Sequence, residues 1–153
     1  MNELIDHILI MDDEPHLLDW LVEYLESKTY NVELVTNVQD AIAKLEINRY
    51  RMVILDLNIP ASSEYLQKIK DKGDAYTEYR GLYVAEFART KGHRGRQTVV
   101  YSVHDSHSIS FICERVGITY LIKGRPRQFK KELDDILSYE PSRERNNAKQ
   151  LTK

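Results

Sequence analysis

The sequence predicts an open α/β sheet with helices on both faces. Short apolar segments alternate along the chain with longer segments in which apolar residues recur at helical spacing. Five strand–helix pairs follow one another, with strands predicted at 7–11, 31–36, 51–57, 97–102 and 118–122. The third strand is apolar through its centre, as expected of a central parallel strand that is covered on both faces. Together these observations predict the α/β class.

The predicted helices have recognisable starts and apolar faces. Pro15 is a favourable first helical residue, and leucines follow it at helical spacing. Asn37, with Asp40 three residues later, is a candidate N-cap of the second helix. The remaining helices are predicted over 82–89, 109–116 and 129–137.

Composition and charge exclude several classes of protein. The hydrophobic share of 42%, the charged share of 30% and the net charge of −2 are ordinary for a globular domain and argue against direct nucleic-acid binding. Cys113 stands alone, so an internal disulfide is excluded. No apolar run approaches the roughly 18 residues of a membrane span, and the start has no signal-peptide pattern. We therefore expect a cytoplasmic protein without membrane insertion.

The chain is predicted to form one domain with two departures from simple alternation. We expect the domain to cover residues 1–139, because a chain of this length can bury one sizeable core. Residues 140–153 carry little apolar content and are predicted to form a flexible tail. Residues 61–80 form an insertion between the third strand and the third helix, since such connections usually span about 2–6 residues.

Within the insertion, a short helix is expected to start near Ser63. Leu66 and Ile69 would then face inward from that helix. Three tyrosines are expected to add aromatic surface, at positions 65, 76 and 79. The insertion could cover the neighbouring site, restrict which partner docks, or serve only as decoration, which is the commoner role of a surface insertion.

Acidic and polar residues stand at the ends of the predicted strands. Asp12 and Asp13 follow the first strand, Asp56 ends the third, Ser102 the fourth and Lys123 the fifth. In an open parallel sheet, ligands gather outside the carboxyl ends of the strands. We therefore expect three carboxylates, a hydroxyl and an ammonium to meet at one edge of the sheet.

Such a group of residues suits phosphoryl chemistry. Three adjacent carboxylates repel one another unless a cation is present, and a hard divalent ion such as Mg²⁺ prefers oxygen ligands. A carboxylate can also attack phosphorus and form an aspartyl phosphate. Catalysis then depends on in-line positioning and on neutralising the charge of the transferred group. Lys123 and the cation could neutralise this charge, while Ser102 could donate a hydrogen bond.

Each residue also has a structural explanation. Asp12 or Asp13 could be a helix cap, with Asp13 the better placed to cap the helix that begins at Pro15. Ser102 and Lys123, taken singly, could be turn or surface groups. Asp56 is harder to explain in this way, because burying an unpaired acid after an apolar strand is costly.

Four segments carry these residues: ILIMDDEP (8–15), VILDLNIP (53–60), VVYSVHD (99–105) and ITYLIKG (118–124). In this combination the sequence resembles the receiver domain of response regulators, over residues from about 7 to 137. The resemblance implies a flavodoxin-like, doubly wound sheet of five parallel strands in the order 2-1-3-4-5, with the insertion between strand 3 and helix 3.

The resemblance also implies an acceptor and a metal site. Asp56 matches the phosphoacceptor of the family. Asp13 matches the direct ligand of Mg²⁺ (or Mn²⁺), and Asp12 matches the acid that helps to hold the ion, commonly through water. The backbone carbonyl of Asn58 matches the family's further metal ligand.

The remaining family positions concern the switch and the lifetime of the phosphorylated form. Ser102 matches the hydroxyl that moves to bind the phosphoryl group, Lys123 the ion-pairing lysine, and Tyr120 the aromatic residue that rotates on activation. A strand residue chosen for its β propensity is the alternative for Tyr120. His104 could modulate dephosphorylation by ordering or excluding water, although a solvated loop histidine explains it equally well. In the family, the lysine is usually followed by a proline in a cis peptide bond. Gly124 stands at that position here.

The resemblance implies a stand-alone, phosphorylation-controlled switch and not an enzyme. A sensor histidine kinase or a phosphotransfer protein would donate, and the output would be protein–protein contact, including a homodimer through the fourth-helix, fifth-strand and fifth-helix face. Two alternatives remain. One is a receiver-like interaction module that is never phosphorylated. The other is a phosphohydrolase with an aspartyl nucleophile. Such an enzyme would need a second acid two residues after the nucleophile, where this chain has Asn58.

Overall fold

The described part of the chain folds around one parallel β-sheet of five strands. The computed structural model describes residues 1–103 and 106–139. The strands are β1 (Asn2–Met11), β2 (Asn31–Val35), β3 (Asn48–Asp56), β4 (Thr98–Ser102) and β5 (Thr119–Ile122). Neighbouring strands are all parallel and lie in the order β2-β1-β3-β4-β5. The predicted flavodoxin-like sheet is therefore confirmed.

Seven α-helices are found in the described part of the chain. They are α1 (Asp19–Ser27), α2 (Val38–Ile47), α3 (Ser63–Lys72), α4 (Asp74–Glu78), α5 (Gly81–Thr90), α6 (His107–Val116) and α7 (Pro126–Leu137). The third, fourth and fifth helices predicted from the sequence are thus α5, α6 and α7. None of the described helices is long and apolar enough to cross a membrane.

Each face of the sheet carries its own apolar core. On one face, side chains of α1 and α7 pack on alternate residues of the strands, among them Leu21, Leu25, Phe129 and Leu133. On the other face, α2, α5 and α6 cover the remaining strand residues. This two-sided covering explains the nearly continuous apolar sequence of β3, in which all residues from 50 to 56 are buried.

Two strands begin earlier than their apolar patterns predicted. β1 and β3 were expected from positions 7 and 51, but they begin at Asn2 and Asn48. Residues 2–4 pair in parallel with 48–50, and the side chain of Asn2 donates a hydrogen bond to that of Asn48 at 3.1 Å. Backbone pairing therefore extends both strands through polar residues that hydrophobic periodicity does not mark.

The predicted helix starts are partly confirmed. The side chain of Asn37 accepts a hydrogen bond from the backbone N–H of Asp40 at 2.8 Å, as expected of an N-cap. Pro15 instead begins a short 3-10 turn over 15–18, and α1 begins only at Asp19. The prediction that Pro15 starts the α-helix itself was therefore wrong by one turn.

The insertion folds into α3 and α4 and packs against α5. Ile69 is buried, as predicted, but Leu66 remains 38% exposed, so its predicted inward orientation was wrong. Tyr76 is also buried and does not add aromatic surface. Lys72 forms an ion pair with Glu86 of α5 at 3.0 Å. Helix α3 thus turns a single narrow apolar stripe toward the domain.

Gly81 allows α5 to start directly against the end of β3. Its N–H donates to the carbonyl of Leu57 at 3.1 Å. A Cβ atom at this position would lie 2.1 Å from the backbone oxygen of Asp56, a distance that no packing tolerates. Glycine is therefore required for this close approach. The predicted flexible tail, 140–153, falls outside the residues that the structure describes.

Candidate functional site

Three carboxylates meet at the carboxyl edge of the sheet. Asp12 and Asp13 follow β1, and Asp56 ends β3, which lies next to β1 in the sheet. One oxygen from each of the three lies within 4.8 Å of the others. Asp12 and Asp56 are buried, at 4% and 8% exposure, whereas Asp13 is exposed. The three carboxylates expected to converge therefore do so.

Lys123 is paired with the two buried acids. Its Nζ lies 3.2 Å from Oδ2 of Asp12 and 3.4 Å from Oδ2 of Asp56. Its backbone N–H donates to the carbonyl of Ser102 at 2.7 Å, which ties the end of β5 to β4. The following residue, Gly124, has a trans peptide bond and a positive φ of 91°. With glycine in place of the family's usual proline, the ammonium of Lys123 therefore still reaches both buried acids.

The electrostatics of Asp56 favour a bound cation. Burial raises the pKa of its carboxyl group, and the neighbouring Asp12 raises it further, while Lys123 and a hydrogen bond from the backbone N–H of Asn58 oppose the shift. One lysine thus only partly offsets the cost of burying ionised acid beside acid. A divalent cation would supply the missing positive charge.

Asp12 also organises the loop that follows β1. Its Oδ1 accepts a hydrogen bond from the N–H of Glu14 at 2.8 Å, and its Oδ2 faces Lys123. The capping alternative had been assigned to Asp13, yet neither helical segment that follows has a side-chain cap. Asp13 is therefore left exposed beside the other two carboxylates, where a metal ligand would stand.

The other predicted site residues lie on β4 and β5. Ser102 is buried at the end of β4, and Tyr120 is half-buried on β5, opposite Val100 of β4. Asn58 lies in the loop after β3, beside Asp56. His104, the predicted modulator of dephosphorylation, falls outside the residues that the structure describes.

Sequence reasoning missed Tyr101 at this site. Its ring lies 5.1 Å from Nζ of Lys123, and it packs on the ring of Phe129 with the centroids 4.3 Å apart. Burial raises its pKa, and the charges of Asp12 and Asp56 raise it further. Tyr101 therefore supports the ammonium by a cation–π contact. A strand position rich in apolar neighbours gave no signal of this role.

An open pocket of about 400 Å³ adjoins the acids, and the insertion forms part of its wall. The pocket is lined by Asp13 and residues 57–60 on one side, and by Thr77, Glu78 and Arg80 on the other. The end of the insertion therefore borders the Asp13 side of the acid cluster.

The donor set fits a hard divalent cation. Carboxylate oxygens from three aspartates lie close enough to share one ion, and no histidine or cysteine takes part in the cluster among the described residues. Oxygen ligands with room for water are what Mg²⁺ requires, and Mn²⁺ accepts the same set. Asp12, Asp13 and Asp56 would hold such an ion.

Comparisons with known proteins agree with the fold and the position of the acids. Residues 8–77 match the family of the response regulator receiver domain, and this segment includes all three aspartates. The predicted resemblance to receiver domains is confirmed. No curated protein sequence matches the chain significantly.

Solved receiver structures share the fold over most of the chain. A CheY-like receiver domain from Methanospirillum hungatei JF-1 has 22% identity and a TM-score of 0.67, covering 91% of this chain and 98% of its own. A two-component response regulator from Clostridium difficile has 21% identity and a TM-score of 0.65, covering 86% and 95%. The signal receiver domain of a putative Luxo repressor from Vibrio parahaemolyticus has 18% identity and a TM-score of 0.64, covering 97% of each chain. The receiver fold thus accommodates the insertion.

Proposed function

We propose that the chain accepts a phosphoryl group on Asp56 and acts as a phosphorylation-controlled switch. The observation that carries this proposal is the placement of a buried aspartate between two further acids and the ammonium of Lys123. The receiver-family match over residues 8–77 supports the same function.

The residues suggest how the transfer proceeds. An oxygen of Asp56 forms a bond to phosphorus, the bond from phosphorus to the donor's leaving group breaks, and the leaving group takes the electron pair. When bound by Asp12, Asp13, Asp56 and the carbonyl of Asn58, Mg²⁺ or Mn²⁺ would neutralise the oxygens of the transferred group. Lys123 adds the second positive charge to these oxygens. Ser102 would donate a hydrogen bond to the phosphoryl group.

The switch function involves the face formed by α6, β5 and α7. Ser102 ends β4 and lies opposite Ile122 in the register of the sheet, two residues beyond Tyr120 on β5. A movement of Ser102 toward a phosphoryl group would therefore be felt on β5 and at Tyr120. We expect this face to bind a downstream protein or a second copy of the chain. A histidine kinase or a histidine phosphotransfer protein would be the donor.

The test is intact mass after incubation with acetyl phosphate and Mg²⁺, for wild type and Asp56→Asn in parallel. The expected result is a gain of one phosphoryl group by wild type alone. No gain is expected when EDTA is present during the incubation. If neither protein gains mass although Mg²⁺ binds, a receiver-like interaction module becomes the better interpretation. Continuous turnover of a generic phosphate ester would instead favour the phosphohydrolase.

A further inference from the structure

The insertion places a cationic side chain, that of Arg80, in the lining of the pocket beside the acids. Arg80 is the last residue of the insertion and lines the pocket together with Asp13. Its Nη1 donates a hydrogen bond to the carbonyl of Ile59 at 3.3 Å. Gly81, the next residue, is held against the backbone of β3 and the residue after it. The backbone of Arg80 is therefore fixed relative to the phosphoacceptor strand.

Arg80 and Lys123 stand at different depths of the site. Lys123 contacts the carboxylates of Asp12 and Asp56. Arg80 lines the outer pocket, in which Asp13 is the one member of the acid cluster among the described residues. Within the described residues, Arg80 has no ion pair. Apart from the bond to Ile59, the N–H groups of the Arg80 guanidinium are therefore available to an anion that enters the pocket.

We propose that Arg80 binds the departing carboxylate of an acyl phosphate donor, and so makes the chain selective for this class of small phosphodonor. The inference rests on the proposed function of Asp56. With acetyl phosphate, an oxygen of Asp56 bonds to phosphorus while the bond from phosphorus to the acyl oxygen breaks. The electron pair leaves on acetate. A planar guanidinium matches a carboxylate in charge and geometry.

A donor with a neutral leaving group gains nothing from this contact. Phosphoramidate carries the same phosphoryl group, but its nitrogen is already protonated and leaves as ammonia. Both donors use the same acceptor and the same deeper cation, Lys123. The ratio of their rates therefore isolates the contribution of Arg80.

The experiment measures the rate of phosphoryl gain from each donor by intact mass, at subsaturating donor and saturating Mg²⁺. The proteins are wild type, Arg80→Ala, Arg80→Lys and Arg96→Ala. Arg96→Ala is a matched control because it removes the same charge at the opposite edge of the sheet, where, within the described residues, Arg96 pairs with Glu132 and Asp135. Calorimetric titration with Mg²⁺ checks that each variant keeps its metal site.

For Arg80→Ala, the acetyl phosphate rate is expected to fall about tenfold, the worth of one charge-assisted contact, with phosphoramidate unchanged. Arg80→Lys should recover part of this loss, and Arg96→Ala should match wild type. In an Asp56→Asn background, acetyl phosphate should shift the side-chain Nε resonance of Arg80, and phosphoramidate should not.

Two results would overturn the inference. Equal slowing with both donors would mean that Arg80 supports the fold or the phosphoryl group itself. Unchanged rates with both would mean that the pocket does not hold the leaving group. If wild type gains no phosphoryl group from either donor, the proposed function of Asp56 fails first, and the inference about Arg80 fails with it.

Discussion

At the scale of single residues, a buried polar side chain must find its hydrogen-bond partners within the protein, and His93 is an example. His93 is fully buried between α5 and β4. Its Nε2 lies 2.9 Å from the backbone nitrogen of Tyr50, and its Nδ1 lies 3.0 Å from the carbonyl oxygen of Ala88. These contacts fit a neutral ring that accepts at Nε2 and donates at Nδ1. The imidazole thus pairs with the backbone of β3 at Tyr50, before the residues at which β4 pairs with β3.

His93→Ala is expected to lower the free energy of unfolding by about 2–4 kcal/mol, since it leaves a cavity and removes the hydrogen-bond acceptor of the Tyr50 N–H. Urea denaturation followed by circular dichroism measures the change. His16→Ala is the control, because His16 is exposed and its replacement should cost almost nothing. Similar stabilities for the two variants would contradict the assignment.

Asp56 should make the metal-free protein less stable as the pH rises. Burial raises the pKa of this carboxyl group above its ordinary 3.8, with Asp12 adding to the shift and Lys123 opposing it. An acid with a raised pKa in the folded state binds its proton more tightly there than in the unfolded chain. Stability is then complete below 3.8 and is lost as the pH rises through the folded-state pKa.

Asp56→Asn should therefore be more stable than wild type at neutral pH in EDTA, and the difference should shrink toward pH 3.8. Denaturation curves at a series of pH values measure it. Adding Mg²⁺ should stabilise wild type more than the variant, because the ion loses a ligand. A variant that is less stable than wild type at neutral pH without metal would refute this expectation.

At the scale of elements, the insertion is attached through few polar contacts. Tyr76 of α4 is buried, and its hydroxyl lies within electrostatic reach of Glu86 of α5 and Arg115 of α6. Burial raises the pKa of Tyr76, and Glu86 raises it further. Glu86 also pairs with Lys72. This chain of contacts joins the insertion to two helices of the receiver fold.

Tyr76→Phe should therefore lower the free energy of unfolding by at most about 1 kcal/mol, because the interaction of its hydroxyl with the neighbouring charged groups is lost. Thermal or urea denaturation provides the measurement. Tyr139→Phe serves as the control, since Tyr139 is 54% exposed. A loss near zero for Tyr76→Phe would show that packing alone holds α4.

The elements were predictable from sequence where burial and periodicity agree. The five strands of the sheet follow from their apolar runs, and the acids at their ends follow from the topology of parallel sheets. Tyr101 and Arg80 could not be found in this way. The role of Tyr101 depends on a ring contact across strands, and that of Arg80 on how the insertion folds back. Leu66 was misjudged because helical spacing does not fix which side of a short helix meets the domain.

At the scale of the whole molecule, one sheet separates two cores that should unfold together. The single tryptophan, Trp20, packs edge-on against Phe129 on the α1 and α7 face. The single cysteine, Cys113, is buried on the α6 face, and burial raises the pKa of its thiol to about 12. Both cores include side chains from β1, β3 and β4. Loss of either face therefore uncovers the sheet that supports the other.

Trp20 fluorescence and iodoacetamide labelling of Cys113 are accordingly expected to report the same urea midpoint. In native buffer at neutral pH, the labelling rate should be at least about a hundredfold below that of the unfolded chain, because both burial and the raised pKa suppress the thiolate. Mass spectrometry measures the labelled fraction. Distinct midpoints would show that the faces unfold separately.

The two ends of the insertion are held by the rest of the fold. The carbonyl of Pro60 accepts a hydrogen bond from Val38 at 2.9 Å, and the N–H of Gly81 donates to Leu57 at 3.1 Å. Both anchors lie outside α3 and α4. The length and sequence of the intervening segment can therefore change during evolution while the sheet and its acids keep their positions. The same segment can be replaced in an engineered chain.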